Sequence, residues 1–161
     1  MPTITSEKNV DELTLTFTSH FDAPVDRVWQ VWEDPRQLER WWGPPTYPAT
    51  FERHDFVEGG KSLYYMTGPE GDKMWGWWMV TLVDAPHRLE LDDGFANADG
   101  TPDNAIAPTH TTVTLEATEG GTRMTSHTQF ETTEQLQQMI EMGMEEGMTL
   151  AIGQIDAILA E

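Results

Sequence analysis

One stretch limits the possible folds more than any other. From Thr132 to about Leu159 the chain reads as a single long amphipathic helix. Thr132 followed by Gln135 fits a capping box, in which each side chain satisfies a backbone N–H that the first turn leaves free. Wound at 3.6 residues per turn, Leu136, Ile140, Gly143, Gly147, Leu150, Ala151 and Ile158 fall on one face. Glu134, Gln138, Glu141, Glu145 and Asp156 fall on the other. Gly143 and Gly147 sit near the centre of the apolar face, ringed by Met139, Met142, Met144 and Met148. Each glycine costs a helix about 1 kcal/mol relative to alanine. Two readings account for that cost: close backbone packing against a sheet, or the wall of a cavity. Met142, Met148 and Ile152 lie off the narrow apolar face, which fits either a homodimer contact or contact with loops.

A helix of this length needs a surface to cover, and the preceding chain supplies strands. After a loose lead-in from Met1 to Val10, Leu13, Leu15, Phe17 and Phe21 recur at even spacing, the pattern of a half-buried strand. Val25, Val28, Trp29 and Trp32 then mark a short helix, and Asp34-Pro35 opens a second with Leu38, Trp41 and Trp42 as its apolar positions. Strands are expected from Tyr47 to Val57 and Lys61 to Thr67, joined across Glu58-Gly59-Gly60. Others run from Met74 to Val83, His87 to Leu91, Thr111 to Ala117 and Thr122 to Phe130. The segment from Asp92 to Pro108 is rich in Asp, Asn, Gly and Pro and reads as a long loop. Strands in a block with helices at the ends indicate an α+β fold. At 161 residues, with no repeat or linker, residues 1–161 are read as one domain.

Composition excludes several classes of function. With 28 acidic and 9 basic residues the formal net charge is −19, which disfavours nucleic-acid backbones and anionic membranes as partners. Cysteine is absent, so disulfides and thiolate chemistry are excluded. No apolar run spans a membrane and no signal peptide is evident, so a cytoplasmic location is expected. His20, His54, His87, His110 and His127 are scattered, and no metal site or cofactor is expected. Asn97-Ala98-Asp99-Gly100 with Asp103 and Asn104 offers many oxygens, but Phe95 stands where a calcium loop places its first carboxylate. Turn chemistry is the reading there. No serine occupies a nucleophile elbow, and no catalytic residue is assigned. Glu146, beside Gly147, is the carboxylate closest to the apolar helix face. Seven tryptophans, with the helix methionines, exceed what a core of this size needs. They either pack together or line a cavity for an apolar ligand.

These residues resemble a known group. Phe21-Asp22-Ala23-Pro24, Val28-Trp29, Asp34-Pro35, Leu38 and Trp41-Trp42-Gly43-Pro44 are similar to the opening signature of the SRPBCC (START/Bet v 1-like) superfamily. Gly68-Pro69-Glu70-Gly71, Asp93-Gly94-Phe95 and Gly143-Met144-Glu145-Glu146-Gly147 resemble its branch of single-domain bacterial proteins related to the activator of heat-shock-protein ATPase. The resemblance implies a helix-grip fold: a curved antiparallel sheet around a long C-terminal helix, with two short helices after the first strand and a cavity between sheet and helix. Members of the superfamily bind apolar molecules there, and a few catalyse cyclisation or dehydration. A role as a chaperone co-regulator is the family's namesake activity. The chaperone-binding domain of the full co-activator has no counterpart in this sequence, so that interaction is not expected.

A small apolar or aromatic ligand, carried or sensed, is therefore the leading reading, and an enzyme of the cyclase or hydrolase kind the alternative. Strand parity assigns Tyr64, Met66, Trp75, Trp77 and Phe95 to the cavity from the sheet, although both faces of the Met74–Val83 strand are apolar. Met139, Gly143, Met144 and Gly147 would face them from the helix, with Trp42 at the mouth. An enzyme would need a titratable group deep in the cavity, for which Glu146 is the candidate.

Overall fold

The computed structural model describes residues 3–103, 105 and 107–161. Its eight strands are all antiparallel: β1 (Thr3–Asn9), β2 (Thr14–Phe21), β3 (Ala49–His54), β4 (Lys61–Thr67), β5 (Lys73–Asp84), β6 (Arg88–Ala96), β7 (Thr109–Thr118) and β8 (Gly121–Gln129). They form one sheet in the order β1-β2-β8-β7-β6-β5-β4-β3. Between β2 and β3 lie α1 (Val25–Glu33) and α2 (Pro35–Leu38), and α3 (Thr133–Glu141), α4 (Met144–Ile152) and α5 (Ile155–Leu159) close the chain. This is the α+β helix-grip architecture, with helices gathered on one face of a curved sheet.

The side-chain alternation of the strands produces that division. Leu15, Phe17 and Phe21 of β2, Trp78 and Val80 of β5, and Leu89 and Leu91 of β6 are all buried on the inner face. Above them Trp32, Trp41, Trp42 and Trp78 interlock edge-on or tilted, with ring centroids 4.7–6.1 Å apart. With Trp29, which is also buried, five of the seven tryptophans serve the core, and Trp41 donates its indole N–H to the Val31 carbonyl at 2.9 Å.

Four expectations from the sequence need correction. Thr3–Asn9, read as part of a loose lead-in, is an edge strand paired with β2 from Thr3↔His20 to Asn9↔Thr14. Backbone pairing does not require apolar side chains, and exposed charges such as Glu7 and Lys8 suit a sheet edge. Strand β6 continues through Asp92-Asp93-Gly94-Phe95-Ala96, where a loop was expected, because β5 and part of β7 extend alongside it. Loop structure resumes at Asn97, where Asp99 accepts from the Thr101 backbone N–H at 3.0 Å; Asn104 lies outside the described residues. The second short helix stops at Leu38, and Trp41 and Trp42 follow in a turn whose N–H groups both bond the Leu38 carbonyl.

The fourth correction concerns the terminal helix. Its start follows the expected capping in part: Thr132 Oγ1 accepts from the Gln135 N–H at 3.0 Å, while Gln135 Oε1 accepts from the N–H of Glu131, one residue before the cap, at 2.7 Å. Its continuity is not as expected. Gly143 adopts a left-handed conformation with φ = 87°, ending α3 and serving as N-cap of α4, and a second break follows at Gly153-Gln154. A residue without a Cβ enters this region freely, so Gly143 acts as a helix stop rather than as a thin place on a continuous face. The break resets the helical phase. Leu150, on the apolar face of an unbroken helix, is 57 % exposed, whereas Ile152, off that face, is fully buried.

This geometry separates the two glycines experimentally. Gly147 lies inside α4, and a Cβ there would meet nothing within 4 Å. Gly147→Ala should stabilise the protein by about 1 kcal/mol, while Gly143→Ala should destabilise it by about 1–2 kcal/mol through left-handed strain. Chemical denaturation of the two variants checks this; a continuous helix would give both changes the same sign.

Candidate functional site

The inner face of the sheet changes character along its strands. Near α1 it is apolar, with Val113, Leu115 and Met124 buried from β7 and β8. Toward α3 the same parity presents Thr109, Thr111, Ser126 and Thr128, and the Thr111 and Thr128 hydroxyls lie 3.1 Å apart. Above this region, where Gly143 turns the chain, the helices leave a cavity of about 240 Å³. That is just below the roughly 300–1,000 Å³ usual for drug-sized ligands.

Nine of the ten residues expected at the site line this cavity. Trp42, Tyr64, Met66, Trp75 and Phe95 contribute from the sheet side, and Met139, Gly143, Met144 and Gly147 from the helices. Trp77 does not. Residues Gly76, Trp78 and Val80 of β5 are buried toward the core, so Trp77 points to the outer face, where its indole covers Gly94 of the neighbouring strand. Trp75 shares that parity and packs on Tyr65 at 4.8 Å, so it meets the cavity at the edge of the strand. Glu146 is exposed and is not among the lining residues.

The carboxyl group that lines the cavity belongs to Asp93, in a segment whose composition reads as loop. Once β6 is extended, Asp93 follows Leu89 and Leu91 onto the inner face. Tyr64 reaches it from two strands away. Tyr64 on β4 pairs with Gly76 on β5, and its ring lies directly over that glycine. A Cβ at position 76 would come within 2.4 Å of the Tyr64 ring, so only glycine lets the phenol cross β5. The Tyr64 hydroxyl then donates to Asp93 Oδ1 at 3.0 Å. A glycine inside a tryptophan-rich strand was the available signal of such a close approach.

The electrostatics follow from burial. Desolvation pushes the Asp93 carboxyl up to about 7, and the Tyr64 hydrogen bond opposes this only in part. Burial, reinforced by the Asp93 charge, holds the Tyr64 phenol well above its ordinary value, so Tyr64 stays protonated and remains the donor. The indole N–H groups of Trp42 and Trp78 favour the Tyr64 oxygen electrostatically, but neither reaches a partner in hydrogen-bond geometry. The site thus combines an acid poised near neutrality, a phenol and the unspent indole donor of Trp42 with largely apolar walls. Among the described residues no group of three or more histidines, cysteines or carboxylates is arranged to hold a metal ion.

Fold and site together define a Bet v 1-like (SRPBCC) domain: a sheet wrapped against C-terminal helices with a cavity between them. Residues 22–160 match the family described as Activator of Hsp90 ATPase homolog 1-like protein, and the chain belongs to that family. A protein from Arthrobacter aurescens, solved in solution by NMR, is 58% identical with a TM-score of 0.93, over 97% of this chain and 91% of that one. A crystal structure of a Mycobacterium smegmatis protein is 46% identical with a TM-score of 0.91, over 98% of this chain and 97% of that one. No curated protein matches the chain. Among the described residues, no helix is long and apolar enough to cross a membrane.

The raised Asp93 value carries a stability signature. An unfolded carboxyl ionises near 4, but the folded one keeps its proton to about 7. Between those values the folded state binds more protons than the unfolded state, so stability falls as pH rises, and the loss is complete above pH 7. Asp93→Asn should therefore be more stable than the parent by about 1–3 kcal/mol at pH 8, with the difference vanishing toward pH 4. Urea denaturation of both proteins across this range measures it; a pH-independent difference would contradict the assignment.

Proposed function

We propose that this protein binds a small, largely apolar ligand in the cavity between the sheet and the broken C-terminal helix, as a carrier or sensor. The observation that carries the reading is the lining itself. Aromatic rings from the sheet face methionines and a bare helix backbone at Gly147, with few polar groups among them. Well-packed interiors seldom keep such space, and methionine walls adapt to varied apolar shapes. Membership in a fold class built around a cavity agrees with this. One observation favours a second reading, acid–base catalysis in the same cavity: Asp93 is poised near 7, where a carboxyl can exchange a proton at neutral pH. Turnover of a bound carbonyl or ester substrate that is lost in Asp93→Asn would establish it.

The test of binding uses Trp42 and Trp75, which line the cavity, as reporters. A panel of small aromatic and aliphatic alcohols should shift tryptophan fluorescence saturably and raise the melting temperature. Occupancy at a hundred times Kd should add about 2.7 kcal/mol. Gly147→Leu places a side chain in open space and should weaken uptake at least about tenfold while the protein stays folded. A panel without a single binder would sink the proposal.

A further inference from the structure

We infer that the ligand this cavity takes is an organic cation, an amine on a small aromatic or aliphatic body, with its ammonium group held by Asp93. The inference rests on the cavity being a ligand site, as proposed above, and adds the chemical class.

A carboxylate on the inner face of a sheet is costly unless something offsets its charge. The surroundings of Asp93 offer one neutral hydrogen bond, from the Tyr64 hydroxyl to Oδ1. Among the described residues no side chain bonds Oδ2. No lysine, arginine or histidine among the described residues lines the cavity, and Tyr64 and Asp93 are the titratable groups that do. From β4 Asp93 is faced by Tyr64, from β7 by the neutral Thr109, and across the cavity α3 and α4 present methionines and glycines. Its acidic sequence neighbour Asp92 belongs to the other face, where it pairs with His110 of β7. Among the described residues, therefore, no side chain supplies this carboxylate with a positive partner.

The remaining walls suit an ammonium group as well. Trp42 and Tyr64 stand 6.2 Å apart at near right angles beside Asp93, and Phe95 follows on the same strand face. Ring faces attract cations, most strongly where water is excluded. The Thr109 and Thr111 hydroxyls can accept from the remaining ammonium hydrogens. A carboxylate-bearing ligand would meet repulsion from Asp93 instead. The formal net charge of −19 adds long-range attraction for cations, although it acts on every cation alike.

The experiment compares three probes with one hydrocarbon body: 4-phenylbutylamine, 4-phenylbutan-1-ol and 4-phenylbutyrate. Affinities are measured by calorimetry on the full chain. At pH 8 Asp93 is ionised, and the amine should bind at least about tenfold more tightly than the alcohol, with the carboxylate weakest. In Asp93→Asn the amine-to-alcohol ratio should fall to about one. That variant changes the surface charge hardly at all, so it separates the site from general attraction. As a second readout independent of any variant's folding, the ratio in the parent protein should collapse at pH 5.5, where Asp93 is protonated and the amine remains charged. Alcohol binding with a ratio near one at pH 8 would overturn the cation assignment and leave the apolar-ligand reading intact. A preference that survives in Asp93→Asn would also overturn it. Failure of all three probes to bind would overturn both.

Discussion

A curved sheet buries its inner face only as far as the layer above it reaches, and here that layer ends early. The tryptophan cluster around Trp32, Trp42 and Trp78 fills one part of the concavity, and Ala151, Ile152, Ile155 and Ile158 seal another. Between them the chain turns at Gly143, whose left-handed backbone stops α3 before it can extend across the strands. The cavity is what remains. Its walls need no special framework, because they are the unpaired remainder of surfaces that are packed elsewhere.

Into that space the sheet delivers one carboxyl. Three neighbouring strands cooperate in placing it: β6 supplies Asp93, β5 supplies the bare backbone of Gly76, and β4 supplies the tyrosine that crosses it. The pairing of Tyr64 with Gly76, and of Trp77 with Gly94, reflects one physical rule used on both faces. A large ring lies flat on a sheet where the adjacent strand carries no Cβ. On the outer face this covers backbone; on the inner face it sets a hydrogen bond to the carboxyl at 3.0 Å.

Much of this was legible in the sequence, for reasons that can be named. Period-2 alternation in β2, β4 and β8 and the capping residues Thr132 and Gln135 act locally, so their spacing reported the elements directly. Nine of ten expected residues came to one cavity because alternation fixes faces once the strand is known. Trp77 was misplaced where both faces of β5 are apolar and parity carries no information. The Asp92–Ala96 segment looked like loop because Asp and Gly usually favour turns, yet pairing with flanking strands outweighed that preference. Gly143 and Gly147 looked equivalent by helical wheel, and only the backbone dihedral distinguished stop from open wall.

A single carboxyl, that of Asp93, faces the cavity among apolar side chains and neutral hydroxyls. The most direct measurement is a carbon-detected NMR titration of the Asp93 side-chain carboxyl in the ligand-free protein. Titration near pH 7, coupled to the Tyr64 ring signals, is the expected result. Titration near 4, the value of a solvated aspartate, would place Asp93 in water and contradict the site.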